Sequence, residues 1–363
     1  VRDVDVFRAH FPVLRERVYL NAGTEGPMPT AAAEAVQARI AHDLAHGRVG
    51  QAYFETVQGL AAELRAGYAQ VLGARPEQVA LTASTTDGCN TVLGGLRWRP
   101  GDEVLTSDQE HPGLLAPLRR LAVREGVRVR VAPFARIAEA AGPRTRLIAC
   151  SHVSWVGGEV LDTAAVRATG VPVLLDGAQA LGAIPVDVPA LGVAYYAAPG
   201  QKWLCGPESS GCLYVRDDAL DGLEPPWQGY NTVADHDDVL GSPLAPGVAR
   251  LDIGFPAAVR SAWALAGLRV LEQAGWDWVH ARAAALAARL ADELAERGLA
   301  VAPRGPSTLV SWRPRGGAVE AEVARLAQAG VIVRSIPSAG LLRASVGAWC
   351  SETDLERLLS TFA

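Results

Sequence analysis

Up to about residue 215, short apolar runs rich in β-branched residues alternate with stretches of helical periodicity, and nothing else in the chain constrains its fold as tightly. Candidate strands fall at 79–82, 103–106, 127–131, 146–150, 173–175, 193–197 and 212–215. Helical patterns lie between several of them, near 86–96, 112–124 and 163–169. Upstream, Val36, Ile40 and Leu44 recur every four residues before Gly47, and Leu60, Leu64, Tyr68 and Val71 do the same before Gly73. Strands separated by helices predict an α/β fold, a mostly parallel sheet flanked by helices.

The pattern changes near 220–250, where Pro225, Pro226, Gly229, Gly241, Pro243, Pro246 and Gly247 accumulate. This predicts a long irregular connection, a kind of segment that often carries function. Beyond it stand two Ala/Leu/Arg-rich helices, about 256–274 and 277–298. The order strand (308–312), helix (318–329), strand (331–335), strand (341–346), helix (352–361) then closes the chain as an α+β unit. A length of 363 residues suits two domains. The expected division is a large domain at 20–245 and a small one at 246–363, with residues 1–19 packing against the small domain.

Composition narrows the function classes. At 49% hydrophobic and 20% charged residues the chain is an ordinary globular one. No apolar run approaches the roughly 18 residues of a membrane span. The stretch from Val1 to Phe11 carries Arg2, Asp3, Asp5 and Arg8 without an apolar core, so no secretory signal is visible and a cytoplasmic location is expected. A net charge of −5 without a basic block makes nucleic acid a poor partner. Five cysteines, at 89, 150, 205, 212 and 350, show neither a disulfide framework nor metal-ligand spacing, so no metal is expected. Lysine is almost absent.

Four features carry chemistry. The run Pro172-Val173-Leu174-Leu175 leads into Asp176-Gly177-Ala178-Gln179, which places a carboxylate at the C-terminal end of a buried strand, where open α/β sheets bind ligands. Twenty-six positions on, Lys202 sits in the apolar, glycine-punctuated stretch Gly200 to Gly206. Lysines avoid such surroundings unless paired or chemically employed, and desolvation lowers an amine's pKa as a Schiff-base lysine requires. Thr82 leads through Ser84, Thr85 and Thr86 into a helical pattern, so hydroxyls and free N–H groups meet where a phosphate can be held. Glu110-His111-Pro112 also follows a strand. Each alone has a plainer reading: a capping aspartate, a lysine reaching to solvent, a Ser/Thr cap, a surface or core histidine. In this order they are the parts a protein supplies to pyridoxal 5′-phosphate (PLP): a phosphate turn, an aromatic face, a partner for the pyridinium nitrogen and a lysine.

The chain resembles the class V aminotransferase family of fold-type I PLP enzymes, the group of cysteine desulfurases, cyst(e)ine C–S lyases and isopenicillin N epimerase. The resemblance runs from Tyr19-Leu20-Asn21 to Trp349. It is most specific at Glu110-His111-Pro112-Gly113, Ser151-His152-Val153-Ser154-Trp155, Asp176-Gly177-Ala178-Gln179 and Lys202 through Leu213-Tyr214-Val215. It implies that Lys202 is the Schiff-base lysine and proton shuttle, that Asp176 pairs with the pyridinium nitrogen and that His111 stacks on the ring. Gln179 would bond the ring's phenolic oxygen, and Thr85 with Thr86 would hold the phosphate. Arg343 matches the arginine that clamps the substrate α-carboxylate, a task suited to a guanidinium fork, with Trp155 and Asn21 as further substrate contacts.

Departures from the family pattern refine the expectation. Gln201 stands where many relatives carry a histidine and offers a neutral phosphate ligand. Phe255 stands where relatives usually carry a threonine that reaches the partner subunit's phosphate. Trp155 and the pair Lys202-Trp203 resemble the C–S lyase branch. Desulfurases need a nucleophilic cysteine shortly before the carboxylate arginine, yet the eight residues between Arg334 and Arg343 include none. The resemblance therefore implies a homodimeric C–S β-lyase acting on cysteine, cystine or a cysteine S-conjugate. An amino-acid epimerase or aminotransferase is the alternative, with a desulfurase or a non-catalytic binding protein behind it.

Overall fold

The computed structural model describes residues 3–252, 254–316 and 318–362; Val1, Arg2, Ile253, Gly317 and Ala363 lie outside the described residues. Its strands, in chain order, are β1 (Val18–Tyr19), β2 (Val79–Thr82), β3 (Glu103–Ser107), β4 (Arg128–Ala132), β5 (Thr145–Ser151), β6 (Val173–Asp176), β7 (Tyr195–Pro199), β8 (Gly211–Val215), β9 (Leu309–Trp312), β10 (Val331–Ile332), β11 (Arg334–Ile336) and β12 (Leu341–Ser345). Seven of them form one sheet in the order β2-β8-β7-β6-β5-β3-β4. Within it β8 runs against its neighbours, β2 and β7, and the other pairings are parallel. The expected mostly parallel α/β sheet is present.

Both faces of this sheet are covered, because successive side chains of a strand point to opposite faces. Leu105, Ile148, Leu175 and Tyr196 pack on one side with Leu64 and Tyr68 of helix Gly50–Leu72, and with Leu265 and Leu268 of helix Ala258–Ala274. Their chain neighbours Val104, Leu147, Leu174 and Tyr195 pack on the other side with Val92 and Leu118, from helices Thr85–Gly95 and Pro112–Glu125.

A second core gathers around the C-terminal strands and adjoins the first. There β11-β12-β9 form an antiparallel sheet, and β1 pairs in parallel with β10. Phe7, Phe11 and Leu14 from the N-terminal segment pack with Trp312, Trp349, Leu355 and Leu358. Leu271 joins this core, whereas Leu268, less than one helical turn earlier, belongs to the large sheet's layer. Helix Ala258–Ala274 thus bridges the two.

One sequence expectation needs correction. The run 331–335 is not one strand: Val331–Ile332 pairs with β1 and Arg334–Ile336 with β12, because the chain leaves one sheet for the other at Val333. The repeat of Val36, Ile40 and Leu44 forms its expected helix, Thr30–His46, which stops at Gly47, and leaves Ile40 46% and Leu44 83% exposed. Helical periodicity identifies an apolar face without saying what covers it.

Candidate active site

Lys202, the single lysine of the chain, stands on the loop joining the antiparallel pair β7 and β8. The loop is tightly formed. Cys205 and Ser209 hold left-handed φ values of 56° and 58°, a conformation that costs a non-glycine residue energy and persists only when packing enforces it. Trp263 Nε1 donates to Cys205 O at 3.1 Å, and Gly26 N to Gln201 O at 2.7 Å. A Cβ at Gly26 would fall 2.0 Å from Lys202 O, so only glycine lets the N-terminal segment lie across this peptide. Burial pushes the Lys202 amine down to about 8; Asp176 and Glu25 oppose that shift, while Arg343 and Arg334 add to it.

Asp176 ends β6, 4% exposed. Its Oδ1 accepts from Ala178 N at 2.9 Å, and burial raises its pKa against that bond and the Lys202 charge. Among the described residues it has no ion pair. Its strand neighbour in register is Ser151, and His152 N donates to Asp176 O at 2.9 Å.

His111 caps helix Pro112–Glu125, its Nδ1 accepting from Gly113 N at 3.0 Å. That bond puts the neutral ring's proton on Nε2. Burial, with Lys202, Arg334 and Arg343 nearby, holds the pKa down at about 4, so the ring is uncharged at neutral pH. Trp155 meets it edge-on, ring centres 4.9 Å apart. The preceding Glu110 is buried and takes Ser107 Oγ, Ser151 N (2.9 and 3.0 Å) and Ser151 Oγ (2.6 Å). One carboxyl thereby ties the ends of β3 and β5 to the His111 turn. Thr85 and Thr86 open helix Thr85–Gly95, where Ser84 Oγ already serves Asp87 N at 3.1 Å. A Cβ on Gly113 would meet Thr86 Oγ1 at 2.5 Å, so the two helix starts adjoin.

Arg343 is 1% exposed and donates through Nη1 to Trp155 O at 2.6 Å. Directly across the ladder stands Arg334, whose Nη1 donates to Thr24 Oγ1 at 3.0 Å. Among the described residues neither guanidinium meets a carboxylate. Burial, then Arg334, brings Arg343 down to about 9. The point where a Cβ on Gly23 would sit lies 2.6 Å from Ser345 Oγ, 2.8 Å from Gln179 Oε1 and 2.9 Å from Arg343 Nη2. The Gln179 amide is engaged: Nε2 donates to Gly23 O at 2.8 Å, and Oε1 accepts from Trp203 Nε1 at 3.3 Å. Asn21 uses Oδ1 to hold Thr24 Oγ1 at 2.9 Å.

Comparison with known proteins decides the family. A model of class-V aminotransferases matches residues 18–358, nearly the whole chain. The chain belongs to the class-V aminotransferase family. This family is PLP-dependent, and the α/β architecture is its fold-type I fold. A probable cysteine desulfurase of Methanothermobacter thermautotrophicus is 34% identical over 248 residues, 65% of this chain and 62% of that protein. The cysteine desulfurase CsdA of Escherichia coli is 28% identical over 98% of this chain and 95% of its own length. The chain thus spans less than two thirds of the first relative and nearly all of the second. The cystine C–S lyase C-DES, solved with its product cysteine persulfide, superposes with a TM-score of 0.92 at 30% identity, over 97% of this chain and 98% of its own. A C-DES variant with glycine covalently linked to its PLP cofactor gives a TM-score of 0.94 at 30% identity, over 100% and 99%.

Within this class-V fold all five cysteines are buried, and burial raises every thiol pKa, Cys212 and Cys350 to about 12. Cys350 lies beyond Arg343, its Sγ 3.6 Å from Tyr19 O. The segment between the arginines is a tight hairpin that turns at Pro337–Ala339. Sequence reasoning did not assign Arg334, Gly23, Glu25 or Ser345 to the site. Arg334 could have been found from the hairpin itself, since a turn centred on 338–339 sets residue 334 opposite 343.

Proposed function

We propose that the chain is a PLP-dependent C–S β-lyase that acts on cystine or a related cysteine derivative and holds the substrate's carboxylates with Arg343 and Arg334. The pairing of these arginines carries the reading. Two guanidinium groups without an acid between them repel each other, and a buried charge without a partner is costly, so an anionic ligand relieves both. Cystine carries two α-carboxylates. A desulfurase would need a reactive thiolate, and buried thiols with raised pKa values do not supply one.

The residues fit the cofactor. Asp176 is a buried carboxylate with no ion pair among the described residues, and a pyridinium N–H would provide one. Thr85 and Thr86 offer hydroxyls and the free N–H groups of a helix start to a phosphate. The buried Oε1 of Gln201 and Nε1 of Trp155 have no hydrogen-bond partner among the described residues. Gln179 keeps a second amide hydrogen for the ring's phenolic oxygen, and the neutral His111 presents an apolar face for stacking. Bound here, PLP supplies an electron sink for the pair left at the substrate Cα.

The chain's own groups do the rest. Lys202, with a lowered pKa, carries the cofactor and takes the Cα proton at Nζ. Arg343 fixes the α-carboxylate, which sets the orientation of the Cα–H bond. Rupture of the Cβ–S bond releases the persulfide of the second half of cystine, and the remaining fragment hydrolyses to pyruvate and ammonia. The test is to incubate holo-protein with cystine, cysteine and S-conjugates and assay pyruvate: cystine should be turned over fastest.

The working unit is a homodimer. Ile40, Leu44 and Phe54 are exposed, and Phe255 packs edge-on against Phe54 with ring centres 5.7 Å apart. Exposed large apolar side chains of this kind are characteristic of an interface when they gather on one surface. With Phe255 in it, the threonine contact to a partner's phosphate has no counterpart at this position. A cytoplasmic location remains part of this proposal; among the described residues no helix is long and apolar enough to cross a membrane.

A further inference from the structure

Trp203 follows Lys202 directly in the chain, and its side chain is buried. Its Nε1–H donates to Gln179 Oε1 at 3.3 Å, while Gln179 Nε2 donates to Gly23 O at 2.8 Å. Gln179 is itself buried, so bulk water does not compete for either bond. The turn that carries the indole is closed on itself, Cys205 N donating to Lys202 O at 3.2 Å.

A glutamine amide has a donor end and an acceptor end of nearly the same shape, and its partners decide which end lies where. At Gln179 the partners agree. Turning the amide over would set Nε2 against the indole N–H and Oε1 against the Gly23 carbonyl, like against like at both contacts. It would also bring Nε2 toward the Gly23 Cβ point, which Oε1 now approaches to 2.8 Å and Arg343 Nη2 to 2.9 Å. The indole therefore holds the oxygen end, and by drawing charge toward Oε1 it makes the Nε2 hydrogens better donors. On the proposed reading, on which this inference rests, Gln179 keeps its second amide hydrogen for the cofactor's phenolic oxygen. A donor there favours the anionic oxygen, and a carbonyl turned there disfavours it. We propose that Trp203 is a positioning residue: acting through Gln179, it keeps an N–H aimed at the phenolic oxygen and so lowers the pH at which the proton beside that oxygen is released.

The absorption band of PLP in loaded protein, titrated with pH in the absence of substrate, reads this directly. Gln179→Leu should raise the midpoint of the band change. Trp203→Phe, which keeps a ring and removes the N–H, should raise it by about 0.3 unit or more. In the Gln179→Leu background Trp203→Phe should add nothing, because the indole acts through that amide. If Trp203→Phe does not fold, Trp203→Leu makes the same comparison. A raised midpoint in Gln179→Leu with an unchanged or lowered one in the Trp203 variant overturns this proposal alone. So does a Trp203 shift that persists in the Gln179→Leu background, which would mean a general loosening of the lysine loop. An unchanged midpoint in Gln179→Leu removes the contact to the phenolic oxygen and this proposal with it. The titration uses no turnover, so failure of the wild type to form pyruvate from cystine would refute the lyase reading and leave this result standing.

Discussion

Arg334 and Arg343 face each other in register across the β11–β12 ladder, one bonded to Thr24 Oγ1 and the other to Trp155 O, with no carboxylate between them among the described residues. Cross-strand like charges are destabilising unless something anionic joins them. The pair therefore marks where a substrate's carboxylates belong, and it leads to separable expectations for the two residues.

Arg343→Ala should lower kcat/KM for every amino-acid substrate by about tenfold or more, the scale of a lost charge-assisted bond, and leave the spectrum of bound PLP unchanged. Arg334→Ala should weaken cystine, with two carboxylates, more than a cysteine S-conjugate with one. Steady-state kinetics on both substrates checks this; equal losses for the two would remove Arg334 from substrate recognition.

Glu110 links stability to pH. Burial raises its carboxyl to about 7 in the folded protein, against an ordinary 4.5, despite donors from Ser107 and Ser151. The folded state thus binds more protons than the unfolded one between those values, and this residue's contribution falls as pH rises through that window. Wild type should lose stability relative to Glu110→Gln between about pH 5 and pH 8, by on the order of 3 kcal/mol at most. Chemical denaturation at the two pH values measures it; a difference growing the other way contradicts the assignment.

The apolar face of Ile40, Leu44 and Phe54 should be covered in solution. Light scattering on loaded protein is expected to give twice the chain mass, and Leu44→Asp to shift the protein toward monomer. A monomeric wild type with full activity would refute the dimer.

Much of this was legible in the chain. The strand ends at Thr82 and Asp176, the helix start at Thr85 and the isolation of Lys202 follow from local pattern, because apolar runs, caps and glycine turns act over a few residues. The stacking of Gly26 on Lys202 and the opposition of Arg334 and Arg343 depend on how distant segments meet, which periodicity does not encode. The exposed Leu44 shows the same limit from the other side: a helical stripe looks alike whether the covering surface belongs to its own chain or to another.

The central claim is elimination at Cβ without a protein thiol, and product analysis with cystine tests it most directly. Wild type, Cys205→Ala and Cys350→Ala should each yield pyruvate and ammonia in equal amounts with cysteine persulfide. Alanine in place of pyruvate when cysteine is the substrate, accompanied by a persulfide on a protein cysteine and lost in that cysteine's variant, would contradict it.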